Sequence, residues 1–283
     1  MSLFSKDRKD AKFIAPKDTI QAIVPYIMPK RVEAEVSYTS NFDVTELVSY
    51  VDKYNEKNTS EIKMTYFHAL MYIVGMTVYN RRALNRFVKN KRLYERNKIN
   101  FAFIAKNKMS DNGEERIISV DLNPDDNLKT FSKKLSVDVF KVRKEGTNSM
   151  DGVLKSLTSL PRWLLSLIVK FVFFLDKHGW SPKVLTEGDT NYSTIIFSNL
   201  GSIKANSCYH HLNDYGTNSI IVTIGTIKEV DGRKYCDLTF TLDERIADGF
   251  YFAKSVQLAE YIAKRPEFFD NKLNTKVEIE EII

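Results

Sequence analysis

The stretch Leu242–Phe250 reads LDERIADGF and sets three carboxylates, an arginine and a glycine between a strand pattern and a helix pattern. Upstream, KYCDLTFTLDE alternates strictly, with Cys236, Leu238, Phe240 and Leu242 on one face. That two-residue period is the mark of a half-buried strand. Downstream, DGFYFAKSVQLAEYIAKRPEFF repeats Phe252, Val256, Ala259 and Ala263 at helical spacing and stops before Pro266. Asp248 can cap that helix, because its carboxylate can accept the orphan amide hydrogens of the first turn. Gly249 lets the backbone turn closely, and Arg245 can pair with a local carboxylate. Taken alone, the stretch is a well-made strand-to-helix corner.

The elements around it predict one α/β domain with a mixed sheet. STIIFSNLG is an apolar strand that stops in a Ser-Asn-Leu-Gly turn, and NSIIVTIGTI is apolar enough for burial on both faces. Nearer the N-terminus, Val32, Ala34, Val36 and Tyr38 alternate. The pattern switches at Asp43-Val44-Thr45 to a helical period through Val44, Leu47, Val48 and Val51. MTYFHALMYIVGMTVY is a strongly apolar helix with Thr65 near its start, and His68 on it reads as a packing residue. RLYE, a turn at RNK and the alternating Ile99, Phe101 and Phe103 suggest a hairpin. DNLKTFSKKLSVDVFKVRKEG is a charged amphipathic helix. Pro161 restarts a further helix, which His178-Gly179 ends. Residues 1–18 are polar and basic and read as a flexible arm, leaving 19–283 as the single domain.

The chain has 283 residues, with 43% hydrophobic and 28% charged, which are globular values. Its net charge of +6 suits an anionic small ligand. The basic residues form no tight arginine array, so no nucleic-acid partner is expected. Cys208 and Cys236 form neither a disulfide framework nor a metal set, which suggests a reducing cytoplasm and no metal site. The apolar run WLLSLIVKFVFFL, Trp163 to Leu175, is interrupted by Lys170. It is shorter than the roughly 20 apolar residues needed to span a bilayer. A buried helix or a partner-facing surface is the first expectation for it, and peripheral membrane contact the second.

The order strand, Asp243-Glu244-Arg245, Asp248-Gly249, helix resembles the C-terminal signature of the acyltransferase (E2) catalytic domains of 2-oxo acid dehydrogenase complexes and of chloramphenicol acetyltransferases. That signature is His-x-x-x-Asp-Gly, with Asp before the histidine and Arg after it in the E2 branch. Here Asp243, Arg245, Asp248 and Gly249 match, and Glu244 stands at the histidine position. FSNLGSI resembles the family's serine-bearing strand end. IIVTIG resembles the later strand, with Thr223 where the chloramphenicol branch carries a threonine, and SYTSNFDVTELVSYVDKYN fits the N-terminal half more loosely. The resemblance runs from about Pro29 to Phe269.

It implies a chloramphenicol acetyltransferase-like two-layer mixed sheet with helices, assembled as a homotrimer with sites between subunits. No lipoyl or subunit-binding domain is expected. It implies acyl transfer from a coenzyme A thioester, as co-substrate and not as a tightly bound cofactor, to a small-molecule acceptor. Ser198 would stabilise the oxyanion, with Thr223 and Asn199 in the oxyanion and acceptor pocket, while Asp243, Arg245, Asp248 and Gly249 would shape the corner. A salt bridge from Asp248 to Arg31 or Lys30 is expected, and its loss would harm folding.

Glu244 changes the chemistry. Glutamate has a pKa near 4.3 and histidine near 6.5, so an unperturbed Glu244 is a weak base towards a thiol of about 8.5. Three alternatives stay open at this point. The site is inactive, Glu244 is a tuned base, or another histidine has entered the pocket. CYHHLNDYG offers His210 and His211 for the last, as base or substrate clamp with Glu244 in support. An inactive member that binds an acyl-CoA or a protein partner is the alternative function.

Overall fold

The computed structural model describes residues 6–59, 63–106, 115–145 and 157–278. In chain order its elements are β1 (Ala11–Ile14), α1 (Thr19–Ile27), β2 (Glu35–Asp43), α2 (Thr45–Lys57), α3 (Tyr66–Asn80), β3 (Arg86–Lys89), β4 (Arg92–Arg96) and β5 (Asn100–Lys106). There follow β6 (Glu115–Asp121), α4 (Leu128–Glu145), α5 (Arg162–His178), β7 (Ile195–Asn199), β8 (Ile220–Val230), β9 (Arg233–Asp243) and α6 (Gly249–Ala263).

The main sheet has the order β2-β9-β8-β7-β5-β6, and β7 lies parallel to both β5 and β8 while the other pairs are antiparallel. Period-two alternation divides its side chains between two faces. Ile195, Phe197, Val222, Phe240 and Leu242 are buried on the face that meets α3 and α6. The expected stripe Phe252, Val256, Ala259 and Ala263 is buried there as well. Each large apolar side chain removed from water in this layer stabilises the fold by about 2 kcal/mol. The mixed two-layer α/β architecture is therefore as expected.

The opposite face carries a row of hydroxyls. Ser198 pairs in register with Thr223, Thr223 with Thr239, and Thr239 with Thr39. Cross-strand partners share a face, so all four project to the same side. The segment after β7 crosses this row: Thr239 donates to Ser207 Oγ at 2.8 Å, and the His210 amide donates to Thr241 Oγ1 at 3.4 Å.

Three expectations change. The stretch expected to be a flexible arm contains β1, which pairs antiparallel with β4, and Arg8 is buried beside it. A four-residue strand in charged surroundings is stabilised by a partner about 80 residues away, and local patterning cannot register that. Second, the turn expected at RNK is not the hairpin turn. The hairpin joins β3 to β4 through Asn90 and Lys91, both at positive φ (50° and 61°), while β5 belongs to the other sheet. Positive φ at both central residues is the two-residue turn that matches strand twist, here built without the usual glycine. Third, α5 is not a buried helix, since Asp176 is its one buried residue.

Candidate active site

The corner LDERIADGF is held by a buried ion pair. Arg245 grips Asp243 with a two-pronged contact, Nε to Oδ1 and Nη2 to Oδ2, both at 2.8 Å. Its third prong donates to the Met28 carbonyl at 2.9 Å. Arg31 Nε stands 3.9 Å from the same carboxylate, and Arg31 and Asp243 are 2% and 0% exposed. Arg31 also donates to the carbonyls of Asn213 and Gly216 at 2.6 and 2.9 Å, and its amide donates to Asp214 Oδ1 at 2.7 Å. One guanidinium thus joins the corner to the His210–Gly216 loop. Burial pushes the Arg31 pKa down while the Asp243 charge beside it pushes the other way. Two buried cations sharing one carboxylate require all these acceptors.

Asp248 departs from expectation. It is exposed, it caps α6 by accepting from the Tyr251 amide at 2.8 Å, and it pairs with Lys17 at 3.0 Å. Neither Arg31 nor Lys30 is its partner. The Tyr251 amide first, and then Lys17, hold its carboxyl below the usual range. The buried structural acid of the corner is Asp243. Gly249 opens α6 with no atom within 4 Å of where a Cβ would stand.

Ser198 and Asn199 end β7 at the rim of an open cleft of about 770 Å³, lined also by Phe67, His68, Ile104 and His210. Among the described residues no hydrogen bond engages the Ser198 hydroxyl, whereas Asn199 Oδ1 accepts the Ser202 amide at 3.2 Å and fixes the turn that follows. That turn is tight. A Cβ on Gly201 would stand 2.5 Å from the Gly225 carbonyl oxygen, so only glycine allows the backbone of this turn to lie against β8. Thr223 is buried behind Ser198 on the neighbouring strand.

The cleft gathers Ser198, Asn199 and His210, with His210 exposed beside it. It does not take in His211 or Glu244. Glu244 is exposed at the end of β9, where its amide donates to the Ala34 carbonyl at 2.9 Å. His68 is the residue that sequence reasoning placed only in the packing. It is buried, with Nδ1 2.8 Å from Ser132 Oγ and 3.4 Å from the donating Thr65 amide, and it also lines the cleft. Burial lowers its pKa to about 4, so the imidazole is neutral at ordinary pH. The signal for it was the Thr-x-x-His spacing, because Thr65 and His68 form a reciprocal capping box.

No known family model matches the sequence, and no curated protein matches it. Solved structures are similar. A probable dihydrolipoamide acetyltransferase from Listeria monocytogenes 4b F2365 superposes over 89% of this chain and 94% of its own, at 14% identity and TM-score 0.58. A truncated catalytic core of the 2-oxoacid dehydrogenase multienzyme complex from Thermoplasma acidophilum covers 89% and 98% at 17% identity and TM-score 0.58. A chloramphenicol acetyltransferase covers 92% and 99% at 12% identity and TM-score 0.58. Identities this low make the likeness one of fold, and the fold is the one expected from LDERIADGF.

Proposed function

We propose that this chain, which has the chloramphenicol acetyltransferase-like fold, transfers an acyl group from a coenzyme A thioester to a small acceptor in the cleft beside Ser198. The observation that carries the reading is that Ser198, whose hydroxyl has no hydrogen bond among the described residues, and His210 line one open cleft. In the step proposed, His210 takes the proton of the acceptor's thiol or hydroxyl. The acceptor atom bonds to the thioester carbonyl carbon, and the carbonyl oxygen becomes an oxyanion facing Ser198 Oγ–H. Collapse of this intermediate breaks the carbon–sulfur bond, and the proton held by His210 leaves with the coenzyme A thiol.

His211 is the second candidate base, and Glu244 is assigned a supporting role. Because Glu244 lies outside the cleft of its own chain, that role requires a neighbouring copy, in keeping with the homotrimer that the resemblance implies. A cytoplasmic location and coenzyme A as a passing co-substrate belong to the same reading.

Thiol release from a panel of acyl-CoAs tests it. Ser198→Ala should lower kcat by on the order of 10²-fold, the usual effect of losing one oxyanion donor. His210→Ala should abolish turnover near neutral pH. Turnover that survives alanine at both His210 and His211 would remove the histidine from the mechanism.

A second reading is favoured by Glu244 itself. The corner is closed by Arg31, Asp243 and Arg245 without it, as in a member that keeps the fold to bind an acyl-CoA or a protein partner. Acyl-CoA binding by calorimetry with no thiol release from any donor would support that reading over the first.

A further inference from the structure

We propose that α5 is a membrane-surface helix whose outward face lies flat on an anionic lipid bilayer. The inward side of the helix is half-buried through Leu164, Leu165, Ile168, Val172 and Leu175. Its C-terminal end is fixed to the domain. The Asp176 carboxylate accepts from Tyr192 at 2.9 Å and from the Gly216 amide at 3.2 Å, pairs with Lys89, and its backbone carbonyl accepts from Arg8 at 2.9 Å. Among the described residues none covers the outward side, and its composition is specific.

Trp163, Leu167, Phe171 and Phe174 follow one another at intervals of four, four and three residues, which puts them in one stripe along the helix. All four are exposed, Trp163 by 71% and Phe171 by 59%. Trp180 continues the stripe past the Gly179 cap at 58% exposure, stacked on His178 at a centroid distance of 5.0 Å. The chain has two tryptophans, and they mark the two ends of this surface. Tryptophan favours the boundary between hydrocarbon and water, where its ring is apolar and its N–H stays wet.

Charge identifies the occupant. Arg162, Lys170 and Lys177 are exposed on the same outward half of the helix, and Asp176, the helix's one acid, is fully buried. An apolar aromatic stripe edged by cations and free of outward acids is complementary to anionic headgroups over an acyl layer. A second copy of the same face would instead oppose these cations with their own kind. No helix among the described residues is long and apolar enough to cross a membrane, so the contact is one of lying on the surface.

Vesicle flotation of the full chain tests this, with phosphatidylglycerol/phosphatidylcholine vesicles beside phosphatidylcholine alone. Flotation is expected with the anionic vesicles and should weaken in high salt. Because Trp163 and Trp180 are the two tryptophans, emission should shift to the blue and be quenched by brominated lipid. Lys170→Glu with Lys177→Glu should weaken partitioning by on the order of tenfold or more. Leu167→Gln with Phe171→Gln should abolish the blue shift. Both variants change exposed positions, so circular dichroism and the thermal midpoint should stay close to the parent's. Three outcomes would overturn the proposal: no flotation with anionic vesicles, flotation unchanged in both variants, or a self-association that Leu167→Gln with Phe171→Gln abolishes while vesicles are ignored.

Discussion

Asp243 and Asp248 stand five residues apart and carry different weights. Removing the Asp243 charge leaves Arg245 and Arg31 buried without a counter-ion, so Asp243→Asn should cost about 3–5 kcal/mol in chemical denaturation. Asp248→Ala removes an exposed cap and should cost about 1 kcal/mol. Sequence reasoning expected the structural salt bridge at Asp248. It could see that Asp248 opens a helix, but not that Arg31 folds under Asp243. His68 makes a pH-dependent contribution. Its folded pKa of about 4 lies below the unfolded value near 6.5, so the unfolded chain takes up the proton first as pH falls. Stability should be full above about pH 6.5 and should decline towards pH 4. Glutamine can replace histidine in the capping box. His68→Gln should therefore retain α3 while flattening the decline, as read from denaturation midpoints across that range.

At the scale of elements, the turn after β7 is the narrowest fit in the site. Gly201→Ala would drive a methyl against the Gly225 carbonyl and should cost about 1–3 kcal/mol. It should also shift Asn199 and widen the cleft beside Ser198, so that acyl-CoA turnover falls together with stability. The helix α6 and the strand β9 were legible because each carries a sustained period, α3, β7 and β8 because each is an apolar run of fitting length, and α5 because Pro161 and Gly179 bracket it. The β3–β4 hairpin was not legible. Asn90 and Lys91 accept positive φ without the glycine that would have announced it, and β5 departs to another sheet immediately afterwards.

At the scale of the whole molecule, Glu244 and the cleft are separated within one chain, so the supporting role proposed for Glu244 requires assembly. Light scattering of the purified protein should give about three times the 32.7 kDa chain mass. A monomer active in acyl transfer would dissociate Glu244 from the reaction. The sequence by itself determined an α/β domain with a mixed sheet, the strand-to-helix corner and the serine at the end of β7, because period, cap and turn are local and leave their mark in neighbouring residues, while the two-layer form came from the family resemblance. Only the tertiary structure decided which carboxylate is buried, that a strand lies within residues 1–18, that His210 lines the same cleft as Ser198 while Glu244 does not, and that α5 turns an aromatic face outward. Those facts depend on contacts between residues tens to hundreds of positions apart. Burial and ion pairing are set by which distant atoms arrive, and a local pattern carries no record of them.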